Sequence, residues 1–204
     1  MRVVENYVPK NLERPSPRPH DGVVVGWTAA GEHVHDMQAL AVDRVLGELL
    51  DRHPDVHVRT IGIDLRLAHD RYERRPLAQY HLLAHEIAGF DVGLAPLDDI
   101  AFNRARSNVK LKEYAICGVP WLASPVGPYV GMGEKQGGRL VGDGDWAAAL
   151  DRLVTKRRER AKLAKKARAW GEQQWAVRNL DVWEAALLEA IERARSRAAA
   201  APAR

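Results

Sequence analysis

"GFDVGLAPLDDIAFNRARSNVKLKEYAICGVPWLAS" (Gly89–Ser124) decides how this chain folds. Asp91–Leu97 is a short apolar run of the kind that forms a buried strand. "NVKLKEYAIC" then reads as a helix, stopped by Gly118. "VPWLAS" resumes as a second buried strand. A strand, a helix and a strand in that order, with both strands apolar throughout, describe a parallel pair joined by a crossover helix.

The same alternation extends in both directions. "GVVVGWTA" (Gly22–Ala29) is a β-branched apolar run. Val34–His53 places Met37, Leu40, Ala41, Val45 and Leu49 at helical spacing, with Asp36 in the first turn, where it complements the helix dipole. "DVHVRTIGID" (Asp55–Asp64) is a second strand, "PLAQYHLLAHEIAGF" a helix ended by Gly89, and "GRLVG" a last short strand. From Asp145 the pattern is helical, over Asp145–Thr155, Arg157–Trp170 and roughly Asn179–Arg197. The first 21 residues are proline-rich and aperiodic. The expectation is an α/β fold: a Rossmann-like parallel sheet flanked by helices, with a helical C-terminal tail. Its divisions are a lead-in over 1–21, a domain over 22–178, and a final helix with a frayed end over 179–204.

Composition narrows the setting. No run approaches the 18 or so apolar residues of a membrane span, and the N-terminus has no apolar signal region. A single cysteine, Cys117, excludes an internal disulfide and fits a reducing, cytoplasmic compartment. Lys156–Arg168 holds eight basic residues and one acid. Such a run is more often a solvated helix face, but it can also meet an anionic membrane surface, making the protein peripheral to the membrane. Nucleic acid is the less favoured partner.

Most familiar chemistry is missing. The Gly26–Gly31 spacing imitates the start of a phosphate-binding P-loop, but Glu32 and His33 stand where Lys and Ser or Thr are needed. The glycine pattern of dinucleotide-binding folds is also absent from this loop. His33 and His35 with Asp36 lack a third and fourth metal ligand. His81 and His85 lack the glutamate of a zincin pair, so no metal site is expected. No nucleophile–histidine pattern stands out, and catalytic residues are not assigned.

The helix after Asp91–Leu97 carries more information. Ser107 or Asn108 is a suitable N-cap, leaving first-turn N–H groups able to meet an anion. Lys110 and Glu113 are three apart on one face. They suit a nucleotide, with the cation at a diphosphate and the carboxylate at a ribose diol. They equally suit an i, i+3 salt bridge worth tenths of a kcal/mol. The residues alone leave both readings open.

Taken together and in order, "DVGLAPL", "SNVKLKEYAICGVPWLAS" and "GRLVGDGDWAAALDRLV" resemble the C-terminal, donor-binding domain of GT-B glycosyltransferases. The nearest likeness is to the retaining type (glycosyl transferases group 1). "GWTAAGEHVHD" is similar to the loop and helix that open that domain, and "ENYVPKNL" to its entering linker. The likeness covers roughly residues 5–154. It implies a nucleotide-diphosphate sugar as substrate, with no cofactor and no required metal. It implies Glu113 at the ribose hydroxyls, and Lys110, Asn108 and Ser107 at the diphosphate. Gly26, Trp27, Thr28 and Gly31 would lie beside the donor, and Pro96 and Leu97 along the nucleobase. Two departures accompany it. Many relatives carry a glutamate eight residues before the ribose glutamate, where this chain has Ala105. The family also works with an N-terminal acceptor domain that does not precede these motifs, so the expectation is a fragment, a split enzyme with a separate N-terminal-domain subunit, or a retired remnant. The alternatives are a non-catalytic nucleotide-binding or partner-docking module derived from that domain, and a basic lipid or nucleic-acid adaptor.

Overall fold

In the computed structural model, residues 4–12, 15 and 19–199 are described. Six parallel strands form one sheet in the order β3-β2-β1-β4-β5-β6. They are β1 (Val23–Thr28), β2 (Val56–Ile61), β3 (Tyr72–Arg75), β4 (Val92–Ala95), β5 (Trp121–Ala123) and β6 (Gly138–Leu140). The helices are α1 (Val34–Ala39), α2 (Val42–Arg52), α3 (Leu83–Ile87), α4 (Ala101–Arg104), α5 (Val109–Ile116), α6 (Trp146–Thr155), α7 (Arg157–Gly171) and α8 (Leu180–Ala199). Among the described residues no helix is long and apolar enough to cross a membrane.

Two cores lie on opposite faces of the sheet. One joins Val23, Val25 and Trp27 of β1 to Met37, Leu46 and Leu50 of α1 and α2 and to Trp146 and Leu150 of α6. The other joins Val24 and Phe90 to Leu111 and Tyr114 of α5 and to Trp121 of β5. Alternate residues of β1 therefore serve alternate cores, which is why its sequence shows no polar face. Tyr114 packs on β4 where a side chain is absent: a Cβ on Gly93 would lie 2.8 Å from its ring.

Besides the added short helix α4 (Ala101–Arg104), two elements differ from the sequence expectation. The single helix expected over 34–53 is broken between α1 and α2, where Ala41 adopts φ 51°. The break lets both Met37 and Val42 reach the core, each with no exposed surface. Strand β3 was not expected. Its "YERR" is an edge strand with Glu73 and Arg74 exposed, so no apolar alternation announces it. The lead-in is held down: Val8 forms a bridge with Trp175, and its N–H donates to Gln174 O at 2.9 Å.

Candidate functional site

The strand order reverses direction between β1 and β4. The chain leaves β1 toward β2 and leaves β4 toward β5, which opens a crevice beyond their carboxyl ends. The Tyr114 hydroxyl fixes this spot by donating to Leu94 O at 2.7 Å. Below the crevice Ser124 Oγ accepts the Leu97 N–H at 2.9 Å.

Helix α5 delivers its polar side chains here. Lys110 Nζ donates to Thr28 O at the carboxyl end of β1. Glu113, one turn on, is 7% exposed. Burial pushes its carboxyl above the usual carboxylate range, against the pull of the Lys110 charge and a hydrogen bond from the Tyr80 hydroxyl. Tyr80, in a turn before α3, is itself pushed up by burial and then by the charge and hydrogen bond of Glu113. Asn108 occupies the N-cap position, yet its side chain makes no capping bond. Its Oδ1 is buried without a partner, while Nδ2 lies 3.9 Å from Met132 Sδ. The expected side-chain cap from Ser107 or Asn108 is thus absent. The α5 N-terminus keeps N–H groups that the side chain does not satisfy.

A second polar group borders the crevice, and the sequence reading missed it. Asp36 was expected to complement a helix dipole, and with His33 and His35 it was set aside as a metal ligand. It is buried, and its Oδ1 accepts from Asn103 Nδ2 at 2.6 Å and from the Asp98 N–H at 3.1 Å. Its Oδ2 takes the Nδ1 of His33 at 3.1 Å. Asp36 therefore ties the loop after β1 to the loop after β4. His33 lies edge-on to Trp27 with ring centroids 6.5 Å apart. Burial first, then the Lys110 charge, lowers its pKa, so it is neutral at neutral pH. With its Nδ1 proton on Asp36, the neutral ring has Nε2 as acceptor. Arg106 Nη1 is 3.4 Å from the same His33 nitrogen. Among the described residues no group of three His, Cys, Asp or Glu side chains is placed to hold a metal ion.

The structure gathers some of the expected residues and separates others. Lys110 meets Thr28 at the crevice, with Glu113 one turn on along α5, while Asn108 at the N-cap lies against Met132. Ser107 lines an adjoining cavity of about 480 Å³ with Ala105, Arg106, Asn108 and the lead-in residues Val4, Glu5 and Asn6. Gly31 starts the turn after β1, with open space where a Cβ would go. Gly26 is not in the loop at all. It pairs with Arg59 and Gly93 inside the sheet, and a Cβ there would sit 2.1 Å from the Phe90 ring. Its lack of a side chain serves packing rather than a phosphate. Trp27 and Leu97 are both core side chains, 1% and 2% exposed. Pro96, between β4 and Leu97, is buried too.

Two further features lie outside the crevice. Lys112 is fully buried and donates to Glu5 Oε2 and Asn6 O, both at 2.7 Å, under the Tyr7 ring. That clamps the lead-in onto α5. The basic run on α7 begins far from the crevice: Arg160 feels Asp91 and Asp55, which precede β4 and β2 at the amino ends of the strands. Arg160, Lys166 and Arg168 are engaged with Leu153 and Val154 carbonyls, Glu134 and the Cys117 carbonyl.

A parallel six-stranded sheet with this order and a crevice at the β1–β4 reversal defines a Rossmann-like architecture. More particularly, it is the fold of the C-terminal half of GT-B glycosyltransferases. A sucrose-phosphate synthase from Thermosynechococcus elongatus superposes with TM-score 0.67 at 18% identity, over 98% of this chain and 53% of that one. The C-terminal domain of LpcC, a glycosyl transferase group 1 protein from Francisella tularensis, gives 0.62 at 13% identity, over 82% of this chain and 97% of that domain. HepE from Anabaena, solved with UDP-glucose, gives 0.58 at 17% identity, over 83% and 49%. The chain spans about half or less of the full-length structures it resembles. No protein-family profile matches it, and no curated protein matches it.

Proposed function

We propose that this chain is the donor-binding half of a glycosyltransferase and holds a nucleotide-diphosphate sugar in the β1–β4 crevice. One observation carries the reading. Lys110 reaches the carboxyl end of β1, and the buried carboxyl of Glu113 lies one turn on along α5, within the field of its charge. A buried carboxyl is costly to a fold unless it is hydrogen-bonded. Here Glu113 has Tyr80 as hydrogen-bond donor, and a ribose diol offers two hydroxyls in its place.

The roles follow from position. Lys110 turns from the Thr28 carbonyl to a diphosphate oxygen. The Asn108 amide and the first N–H groups of α5 donate to the same group. Together they offset the charge that develops on the leaving diphosphate, the part a metal ion plays elsewhere. Glu113 fixes the ribose. Acceptor positioning and catalytic groups come from a second domain facing the crevice, consistent with a chain that spans 49% of the UDP-glucose-bound HepE structure. Turnover then requires that domain, because an open half-cleft neither orients an acceptor nor excludes water.

The test is calorimetric titration with UDP, GDP, ADP and dTDP, repeated on Glu113→Ala. One nucleotide should bind saturably, and the variant should lose about 1.5–3 kcal/mol, the value of a hydrogen bond to a charged group. Equal affinity in both proteins would make Glu113 a structural residue.

A further inference from the structure

The nucleotide crevice makes no use of the basic run on α7. Leu163, Ala167 and Gly171 turn that helix inward, with Gly171 against the Ala115–Ile116 backbone. Arg158, Lys162 and Lys165, spaced four and three apart, line the opposite, exposed face. Lys156 and Arg157 are exposed at its start. The acids nearby are already engaged. Glu159 pairs with Arg139 at 2.7 Å and Arg152 at 2.9 Å, and Glu134 with Arg139 at 2.8 Å and Lys166 at 3.3 Å. Lys162 lies in the field of Glu134 without an ion pair to it. Asp91 and Asp55 act on Arg160. Glu172 stands about two turns beyond Lys165, at the far end of the helix.

This arrangement works against the helix itself. Lys156, Arg157 and Arg158 crowd the α7 N-terminus, where the dipole favours acids. Arg158, Lys162 and Lys165 repel one another along one face. Position and composition say what such a face suits. Ala161 and Ala164 share a cleft with Gly118 and Pro120, and the Arg168 guanidinium covers Gly118, so α7 lies beside the amino end of β5. A domain closing the crevice stands at the carboxyl ends, on the other side. Ala161 and Ala169 are the residues exposed among the cations, and the one aromatic of α7, Trp170, is half-buried at its end. Single-stranded nucleic acid is held by aromatic platforms set among cations, and this face has none. An anionic bilayer asks only for several cations on one convex face. We propose that the exposed face of α7, from Lys156 to Lys165, docks this chain on an anionic lipid surface. This association goes beyond donor binding and does not depend on it.

Co-sedimentation of the full chain with phosphatidylcholine vesicles, with and without about 30 mol % phosphatidylglycerol, tests the proposal. The chain should sediment only with the anionic vesicles. Raising salt from about 0.05 M to about 0.5 M should release it, because the added ions screen the contact. The Arg158→Gln, Lys162→Gln, Lys165→Gln chain should bind on the order of 100-fold more weakly, about fivefold for each charge removed. The Arg44→Gln, Arg74→Gln, Arg195→Gln chain loses the same charge from exposed positions elsewhere and should bind within about threefold of wild type. Far-UV circular dichroism establishes that each chain is folded. Failure of the wild type to bind anionic vesicles at low salt overturns the proposal. So do equal losses in the two triple variants, or tighter binding to a random-sequence DNA duplex than to the vesicles.

Discussion

Replacing Glu113 by Gln separates the cost of this residue from its use. In the ligand-free protein the Glu113 carboxyl titrates above its unfolded value because burial opposes its charge. The folded state therefore holds its proton to higher pH than the unfolded chain. Stability from this group is fully present below the unfolded pKa and is lost as pH rises through the folded one. Above the unfolded pKa this group therefore weakens the fold, and an amide of the same shape relieves that. We expect Glu113→Gln to unfold at a higher temperature than wild type at pH 8. Each kcal/mol gained should raise Tm by roughly 2–4 °C in a chain of this size. The difference should shrink toward pH 4, where the wild-type carboxyl is protonated as well. Nucleotide affinity should move the other way. The amide keeps an acceptor oxygen but loses the charge, so each ribose hydrogen bond falls from about 1.5–3 to about 1 kcal/mol. Scanning calorimetry at both pH values and titration with the bound nucleoside diphosphate supply the two readouts. A variant less stable than wild type at pH 8, with unchanged affinity, would show that Glu113 is there to hold α5 together, and would refute the reasoning.

Three further outcomes are expected. Asp36→Ala leaves the buried Asn103 amide and the Asp98 N–H without their acceptor, so denaturant unfolding should show a loss of about 2–4 kcal/mol; a loss within 0.5 would contradict the tie between the two loops. Gly26→Ala drives a methyl into the Phe90 ring and should cost about 1–3 kcal/mol, measurably less in a Phe90→Ala background. Equal costs in both backgrounds would mean that Gly26 is needed for something other than packing. Lys110→Ala should weaken nucleoside diphosphate binding by about 1.5–3 kcal/mol and flatten its salt dependence; an unaltered salt dependence would remove Lys110 from the diphosphate.

The fold was largely legible because buried parallel strands are written as uninterrupted apolar runs. "VVVGW" and "VGLA" needed no partner to be recognised. Tyr72–Arg75 was not legible, because its edge position pairs charged residues with solvent and leaves no alternation. The α5 pair could be read from spacing, since Lys110 and Glu113 are neighbours on one helix. Their surroundings could not. Asp36 meets Asn103 across 67 positions of sequence, and Tyr80 reaches Glu113 from another element. Gly26 and Trp27 fell both in the strand read over Gly22–Ala29 and in the loop read from Gly26, because a strand's last residues and the turn after it share the same small and apolar composition. Register placed them inside the sheet.

The central claim is that the β1–β4 crevice holds a nucleoside diphosphate through Lys110 and Glu113. Isothermal titration of the intact chain with UDP, GDP, ADP and dTDP tests it most directly. One of the four should bind at a single site, with affinity lost in both Lys110→Ala and Glu113→Ala. Heat of dilution alone with all four nucleotides, in a protein shown to be folded, would contradict it.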